Sequence, residues 1–169
     1  IPQAEQTGTI QKLTEYVLKT AIERCASWQK SGFPLKIAVN LSVRDLLNRH
    51  LPGELERLLS EQGLDVDCLV LEITESAVME DPEFSLSVLH GLHDKGFSLS
   101  IDDFGTGYSS MAYIKQLPID ELKIDKSFVT DLSRNREDEI IVRSTIEMGH
   151  NLGLKVIAEG IEDQESLEL

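Results

Sequence analysis

Basic residues are scarce in this 169-residue chain: 16 Lys and Arg stand against 30 Asp and Glu, a formal charge of −14. A general nucleic-acid surface or an anionic-membrane surface needs a basic footprint, so DNA is not an expected partner. A phosphorylated ligand held through bound cations remains compatible with this charge. Long apolar runs are also missing. None approaches the roughly 18 residues that span a bilayer, so no direct membrane insertion is expected. Cysteine is limited to Cys25 and Cys68, without CxxC spacing, which fits a reducing compartment. No GxxxxGK[ST] occurs, which excludes a P-loop. The first residues, Ile1-Pro2-Gln3-Ala4-Glu5, are neither a signal peptide nor headed by Met, and the chain is expected to be a piece of something longer. The apolar fraction of 41% and charged fraction of 27% are those of a folded domain.

Periodicity then divides the chain into alternating helices and strands. Leu13, Val17, Ala21, Cys25 and Trp28 share one helical stripe, widened by Leu18 and Ile22, and residues 31–34 (SGFP) stop that helix. Residues 36–41 read as a strand, 52–62 as a helix, and 68–74 (CLVLEIT) as a strand. Asp81-Pro82 opens a helix that runs to Gly96, with Asp as N-cap and Pro at its first position. Strands are expected at 97–101, from 122 to 128 and at 155–158. Helices are expected at 109–117, at 138–152 and from Asp163 onward. Five strands alternating with helices mean a parallel sheet with crossover helices. An open doubly wound sheet and a (β/α)8 barrel compete. Length favours the open sheet, because a barrel typically needs about 250 residues.

The residues ending each strand reverse that preference. Asn40 follows Ile37-Ala38-Val39, Glu72 interrupts an apolar run, and Asp102 and Asp103 follow Ile101. Lys123 alternates with Leu122 and Ile124, and Glu159 follows Ala158. In a barrel these C-terminal strand ends converge on one rim, where the active site of that architecture lies. Gathering carboxylates there costs desolvation and repulsion. A hard divalent cation relieves both, and an oxygen-rich donor set suits Mg²⁺ or Mn²⁺. One strand-end carboxylate is an ordinary structural ion-pair residue, but five successive polar strand ends are hard to explain that way. Residues 102–110 (DDFGTGYSS) form a glycine loop beside an acidic pair, not the dinucleotide fingerprint, since GxGxxG is incomplete. His90 and His93, three apart on a helix, lack further zinc donors nearby. Residues 134–139 (RNREDE) read as a solvated loop and helix start, Trp28 as core, and Tyr108 as a packing residue.

Five segments, VNLS (39–42), EITES (72–76), IDDFGTGYSS (101–110), LKIDKSFV (122–129) and AEGIE (158–162), stand in the order and spacing of the EAL domain family, which the chain resembles along essentially its whole length. Residues 1–8 (IPQAEQTG) also resemble the segment after that family's first strand. The resemblance implies a cyclic di-GMP phosphodiesterase of bacterial signalling, built as a TIM-type (β/α)8 barrel. This chain would be a single EAL-type domain over residues 1–169, truncated at both ends and holding about five of the strands. The strand bearing the Glu-Ala-Leu motif and the later Gln-Gly-Tyr motif would lie outside it, and the portion alone would be inactive.

The resemblance further implies that Asn40, Glu72 and Asp102 bind a first metal ion, and that Asp102, Asp103 and Glu159 bind a second. Glu159 would also serve as general base, with Asp103 and Lys123 catalytic beside it. Glu75 would steady the glycine loop, and Glu162 would support the site from behind. Two Mg²⁺ or Mn²⁺ ions would activate water and offset the phosphodiester's charge, giving linear pGpG. A homodimer formed through elements around residues 107–117, neighbouring sensory or GGDEF-type domains, and a cytoplasmic location, even in a membrane-attached parent, are implied in the same way. The competing readings are a receptor that binds cyclic di-GMP without hydrolysing it, and a protein-interaction module without nucleotide affinity. Every family position within the covered span is filled by the expected residue type, which favours the enzyme.

Overall fold

The computed structural model describes residues 9–107 and 111–169. Its elements are α1 (Ile10–Lys30), β1 (Ile37–Leu41), α2 (Val43–Leu46), α3 (Leu51–Gln62), a 3-10 turn (Val66–Cys68), β2 (Leu69–Thr74), α4 (Glu75–Glu80) and α5 (Pro82–His93). They continue with β3 (Ser98–Phe104), α6 (Met111–Ile114), β4 (Glu121–Ile124), α7 (Lys126–Val129), α8 (Arg136–Asn151), β5 (Lys155–Ala158) and α9 (Gln164–Glu168).

All five strands are parallel and lie in chain order, β1-β2-β3-β4-β5. A doubly wound sheet reverses its order at a switch point, and this sheet never does. Right-handed crossovers between successive neighbours place every helix on the same face, which is the wall of a (β/α)8 barrel. The fold is therefore α/β, a five-strand portion of a TIM-type barrel.

Strand alternation gives the two faces different chemistry. Leu69, Leu71, Ile73, Leu99, Ile101 and Leu122 face the helices and are 0% exposed. Burial of each such side chain contributes about 1.5–3 kcal/mol. On the opposite, inner face one register row crosses the whole sheet: Asn40 beside Glu72, Glu72 beside Ser100, Ser100 beside Glu121, and Glu121 beside Lys155. The row next to it on the helix side is apolar throughout, Leu41, Ile73, Ile101, Leu122 and Val156.

Four expectations are adjusted by the structure. In α1 the buried stripe is Ile10, Thr14, Leu18, Ala21, Ile22, Cys25 and Ala26. Leu13, Val17 and Trp28 are exposed instead, so the stripe is rotated from the one read by periodicity, and Trp28 is not core. The strand expected over 122–128 stops at Ile124, because Asp125 caps a helical turn through a 2.9 Å bond from the Ser127 N–H. The helix expected over 109–117 is reduced to α6 and a turn closed by Gln116 and Leu117 N–H groups on the Tyr113 and Ile114 carbonyls. Residues 109 and 110 lie outside the described residues, as do Tyr108 and the 1–8 segment. Helix α8 begins two residues early, at Arg136, because Asn135 accepts from the Glu137 and Asp138 N–H groups. The Asp81 cap holds as expected, accepting from Phe84 N–H at 3.2 Å. Both cysteines are buried and free, and burial together with the neighbouring Cys25 pushes the Cys68 thiol up to about 12.

Candidate active site

The sequence turns sharply at the C-terminal end of each strand, and the turns hold the polar residues at the rim. After β1, Ser42 and Asp45 form a capping box, with the Ser42 N–H donating to Asp45 Oδ2 at 2.8 Å. After β2, Thr74 Oγ1 accepts from the Ala77 N–H at 3.3 Å, starting α4 at once. After β4, Asp125 starts α7 in the same way. Strand β5 is tied to β4 at its tip by the Glu159 N–H, which donates to the Ile124 carbonyl at 3.2 Å. The residue two positions before each of these caps, Asn40, Glu72 and Lys123, is thus held at the end of its strand.

Strand β3 ends differently. Its pairing with β4 shifts register between Ile101 and Phe104, and Asp103 sits at φ +55°. Consecutive residues in a regular strand point to opposite faces. The bulge and the left-handed residue break that alternation, so both Asp102 and Asp103 reach the rim. Asp tolerates this conformation better than most residues.

At the rim centre lies Lys123, nearly buried. Its Nζ is 2.7 Å from Glu159 Oε1, 2.8 Å from Glu72 Oε1 and 3.1 Å from Asp102 Oδ1. Strands β5, β2, β3 and β4 therefore meet at one ammonium group. Lys123 reaches Glu72 by passing over β3, a span of about 9–10 Å between alternate strands. Ser100, small and buried, lies on that intervening strand in register between Glu72 and Glu121. Asn40 completes the group from β1, donating its Nδ2–H to Glu72 Oε2 at 3.2 Å. Among the described residues no group of three His, Cys, Asp or Glu side chains is arranged as a metal centre; the three carboxylates that do converge meet the Lys123 ammonium.

Burial alone would push the Lys123 ammonium down, but hydrogen bonds to Glu159, Glu72 and Asp102 outweigh it and hold the group above its ordinary value. The Asp103 carboxyl moves up, first because it is buried and then because Asp102, Asp125 and Glu159 crowd it with negative charge. Asp125 moves down, held by the Ser127 hydroxyl and N–H, and it hydrogen-bonds with Asp103. The two carboxyls divide unequally, with the proton favoured on Asp103. Three carboxylates against one ammonium leave the Lys123 cluster with two excess negative charges before Asp103 is counted.

Asn40, Glu72, Asp102, Lys123 and Glu159 are thus brought into contact, with Asp103 beside them. Glu75 is buried at the start of α4. Its Oε2 accepts from the Gly105 N–H at 3.4 Å, and its Oε1 lies 2.8 Å from where a Cβ at Gly107 would stand. A side chain at 107 would have to displace that carboxylate. Glu162 lies exposed beyond the Gly160 turn, away from the cluster contacts. His90 and His93 are exposed on α5. Of two further participants, Asp125 reads from the sequence as sharing a strand face with Lys123, and Ser100 is not singled out. Asp125 presents as part of a strand until its capping role is seen. Ser100 was legible only as the residue sharing a face with Asp102 in Ser98-Leu99-Ser100-Ile101-Asp102.

The EAL domain family model matches residues 1–169. The bifunctional diguanylate cyclase/cyclic di-GMP phosphodiesterase MucR of Pseudomonas aeruginosa is 40% identical over 169 residues, covering 99% of this chain and 25% of that protein. Cyclic di-GMP phosphodiesterase NbdA of the same organism is 41% identical over 165 residues, 97% of this chain and 21% of that protein. The solved structure of the PaMucR phosphodiesterase in complex with c-di-GMP superposes with a TM-score of 0.92 at 40% identity, over 99% of this chain and 68% of that one. The chain spans about a quarter of the length of the curated relatives it matches. On the family match over its full length and the barrel wall with its acidic rim, the chain belongs to the EAL domain family.

Proposed function

We propose that the chain contributes the acidic rim of a cyclic di-GMP phosphodiesterase that hydrolyses one phosphodiester bond to give linear pGpG. The observation that carries this reading is the convergence of Glu72, Asp102 and Glu159 from three strands on Lys123, with Asn40 attached to Glu72. The donors are oxygen atoms only, and their excess negative charge suits divalent cations. Asn40 uses its amide N–H toward Glu72, which keeps its carbonyl oxygen available. Two Mg²⁺ or Mn²⁺ ions would be held here, one by Asn40, Glu72 and Asp102 and one by Asp102, Asp103 and Glu159. Such ions, when bound, lower the pKa of a water nucleophile and neutralise the phosphodiester. That chemistry belongs to a closed eight-stranded barrel, of which residues 1–169, a portion of one EAL-type domain, supply five strands of the wall.

The chain's own groups have distinct tasks in this reading. Lys123 holds the three carboxylates together, and its ammonium would stabilise negative charge on a phosphate at this rim. Glu159, the most exposed of the Lys123 partners, takes the proton of the attacking water as general base. Asp103 acts beside it as the second catalytic carboxyl. Glu75 fixes the loop that carries Asp103 through the Gly105 N–H. A cytoplasmic location, a homodimer and attached sensory or GGDEF-type domains accompany the proposal, since several relatives are longer signalling proteins.

The test is hydrolysis of cyclic di-GMP by the full-length protein with Mg²⁺ or Mn²⁺, Glu159→Ala alongside. Metal-dependent formation of pGpG, reduced about 100-fold or more in the variant, is expected. Tight binding of cyclic di-GMP without turnover would make the protein a receptor. Absence of both binding and turnover would make it an interaction module.

A further inference from the structure

One ammonium group stands among oxygens from both proposed cation sets. Lys123 Nζ lies 2.8 Å from Glu72 Oε1, of the first set, and 2.7 Å from Glu159 Oε1, of the second. It lies 3.1 Å from Asp102 Oδ1, which both sets share. An ammonium carries three N–H donors, and three carboxylates stand within hydrogen-bond distance of this one. The other Glu72 oxygen, Oε2, accepts from Asn40 Nδ2–H, and Asp102 Oδ1 also accepts from the Asp103 N–H at 3.1 Å. The polar groups of the rim are thus engaged with one another.

The cluster is also enclosed. The Lys123, Glu72 and Asp102 side chains are 11%, 14% and 14% exposed, so water and salt screen their attraction less than at an open surface. A carboxylate oxygen turned toward the ammonium is not free to face a cation. A ligand that binds one arrangement of a protein has its apparent affinity lowered by the fraction held in the other. An ammonium kept beside bound cations would in addition repel them. Lys155, further along the inner face, differs on each count: it is exposed, and it stands 3.6 Å from Glu121 rather than on a rim carboxylate.

We propose that Lys123 competes with divalent cations for the rim carboxylates, so that its contacts set the cation concentration at which the rim is loaded. The competition rests on the cation-binding part of the proposed function. It is independent of whether the loaded protein hydrolyses cyclic di-GMP.

The experiment measures the Kd for Mn²⁺ by titration calorimetry at neutral pH. It compares the full-length wild type with Lys123→Met, Lys123→Gln and the control Lys155→Met. A second readout is the rise in Tm on adding Mn²⁺. Both neutral variants at 123 should bind Mn²⁺ about ten- to a hundredfold more tightly than the wild type, the usual range of coupling between two ligands. Their Tm should also rise further, because tighter binding stabilises more at the same Mn²⁺ concentration. Lys155→Met should change neither readout. Equal or weaker Mn²⁺ binding in both variants at 123 would overturn the proposal, and so would an equal gain in Lys155→Met. If the variants at 123 fold only with Mn²⁺ present, the cation replaces the ammonium and the proposal stands; if they stay unfolded with Mn²⁺, it falls. Mn²⁺ bound by neither wild type nor variants would overturn it together with the cation-binding reading. Hydrolysis of cyclic di-GMP by the wild type is recorded alongside. Its absence with Mn²⁺ bound would remove the phosphodiesterase reading alone, while the affinities still decide the role of Lys123.

Discussion

The two faces of the sheet are made by the same twenty-odd residues and obey opposite rules. Toward the helices, Leu71, Ile73, Leu99, Ile101 and Leu122 exclude water completely and need only the right volume. Toward the interior, Asn40, Glu72, Asp102 and Lys123 sit on alternate positions of those strands and are held by ion pairs and hydrogen bonds. One face stores stability, while the other spends some of it on keeping like charges together. Because alternation couples them, the position of the apolar row fixes the height of the polar row within the barrel. A one-residue slip of β2 would bury Glu72 among leucines and expose Leu71, so the apolar face holds the catalytic geometry in register.

The largest effect should come from the helix side. Leu71→Ala removes a fully buried side chain between sheet and helices and should destabilise the fold by about 2–5 kcal/mol. Urea titration would measure it. A loss well under 1 kcal/mol would show that this face is not the main store of stability.

On the inner face the expected effect is smaller and depends on conditions. Lys123→Met leaves Glu72, Asp102 and Glu159 without their shared cation. At pH 7 without divalent ions it should cost about 1–3 kcal/mol, less than for a fully buried pair because Glu159 is partly solvated. The sign with pH follows from the groups involved. The folded state holds the ammonium above its ordinary 10.5, so its contribution is complete below that value and is lost only as pH rises through the folded one. In the variant, the crowded carboxylates take up protons more readily. The deficit should therefore shrink as pH falls through the carboxylate range, and Mg²⁺ should reduce it at pH 7. Thermal melts at pH 7 and pH 4.5, with and without Mg²⁺, would check both. A deficit independent of pH and Mg²⁺ would mean that Lys123 acts by packing alone.

The same contrast explains what could be seen before the structure. Residues on the helix face write their role into periodicity, and runs such as 69–73 and 155–158 were placed to within a residue, whereas β3, expected over 97–101, runs on to Phe104. The polar strand ends were legible because Asn40, Glu72, Asp102, Lys123 and Glu159 each interrupt or end such a run. Exceptions arose where a local cap overrode the pattern. Asp125 looks like the third member of an alternating strand, yet its bond to the Ser127 N–H starts a helix. In α1, Leu13 and Val17 have the hydrophobicity of core residues but lie on the exposed side, because which of two overlapping stripes packs is decided by the partner surface. Lys123 was legible as a positive charge among the carboxylates, but not its direct pairing with Glu72, Asp102 and Glu159, which depends on how the strands are arranged around it. The left-handed Asp103 was likewise hidden, because a bulge is set by the register of two strands rather than by one of them.

Two buried serines, one on each side of the sheet, give the finest version of the comparison. Ser85 on α5 and Ser100 on β3 are each 1% exposed, and neither hydroxyl has a hydrogen-bond partner among the described residues. Ser85 lies in the apolar helix layer with Val88, Leu89 and Leu92, where an unpaired hydroxyl is a pure cost and Ala is the better helix former. Ser85→Ala should therefore stabilise the fold by about 0.5–1.5 kcal/mol. Ser100 lies in the polar register row between Glu72 and Glu121, where a hydroxyl is in favourable company and Ala is the poorer strand former. Ser100→Ala should leave stability unchanged to within about 0.5 kcal/mol, whereas Ser100→Leu should block the path of Lys123 to Glu72. Urea midpoints for the three variants decide the matter. If Ser85→Ala and Ser100→Ala shift the midpoint equally, the two faces do not differ in how they treat a buried hydroxyl, and the division of labour between them rests on charge alone.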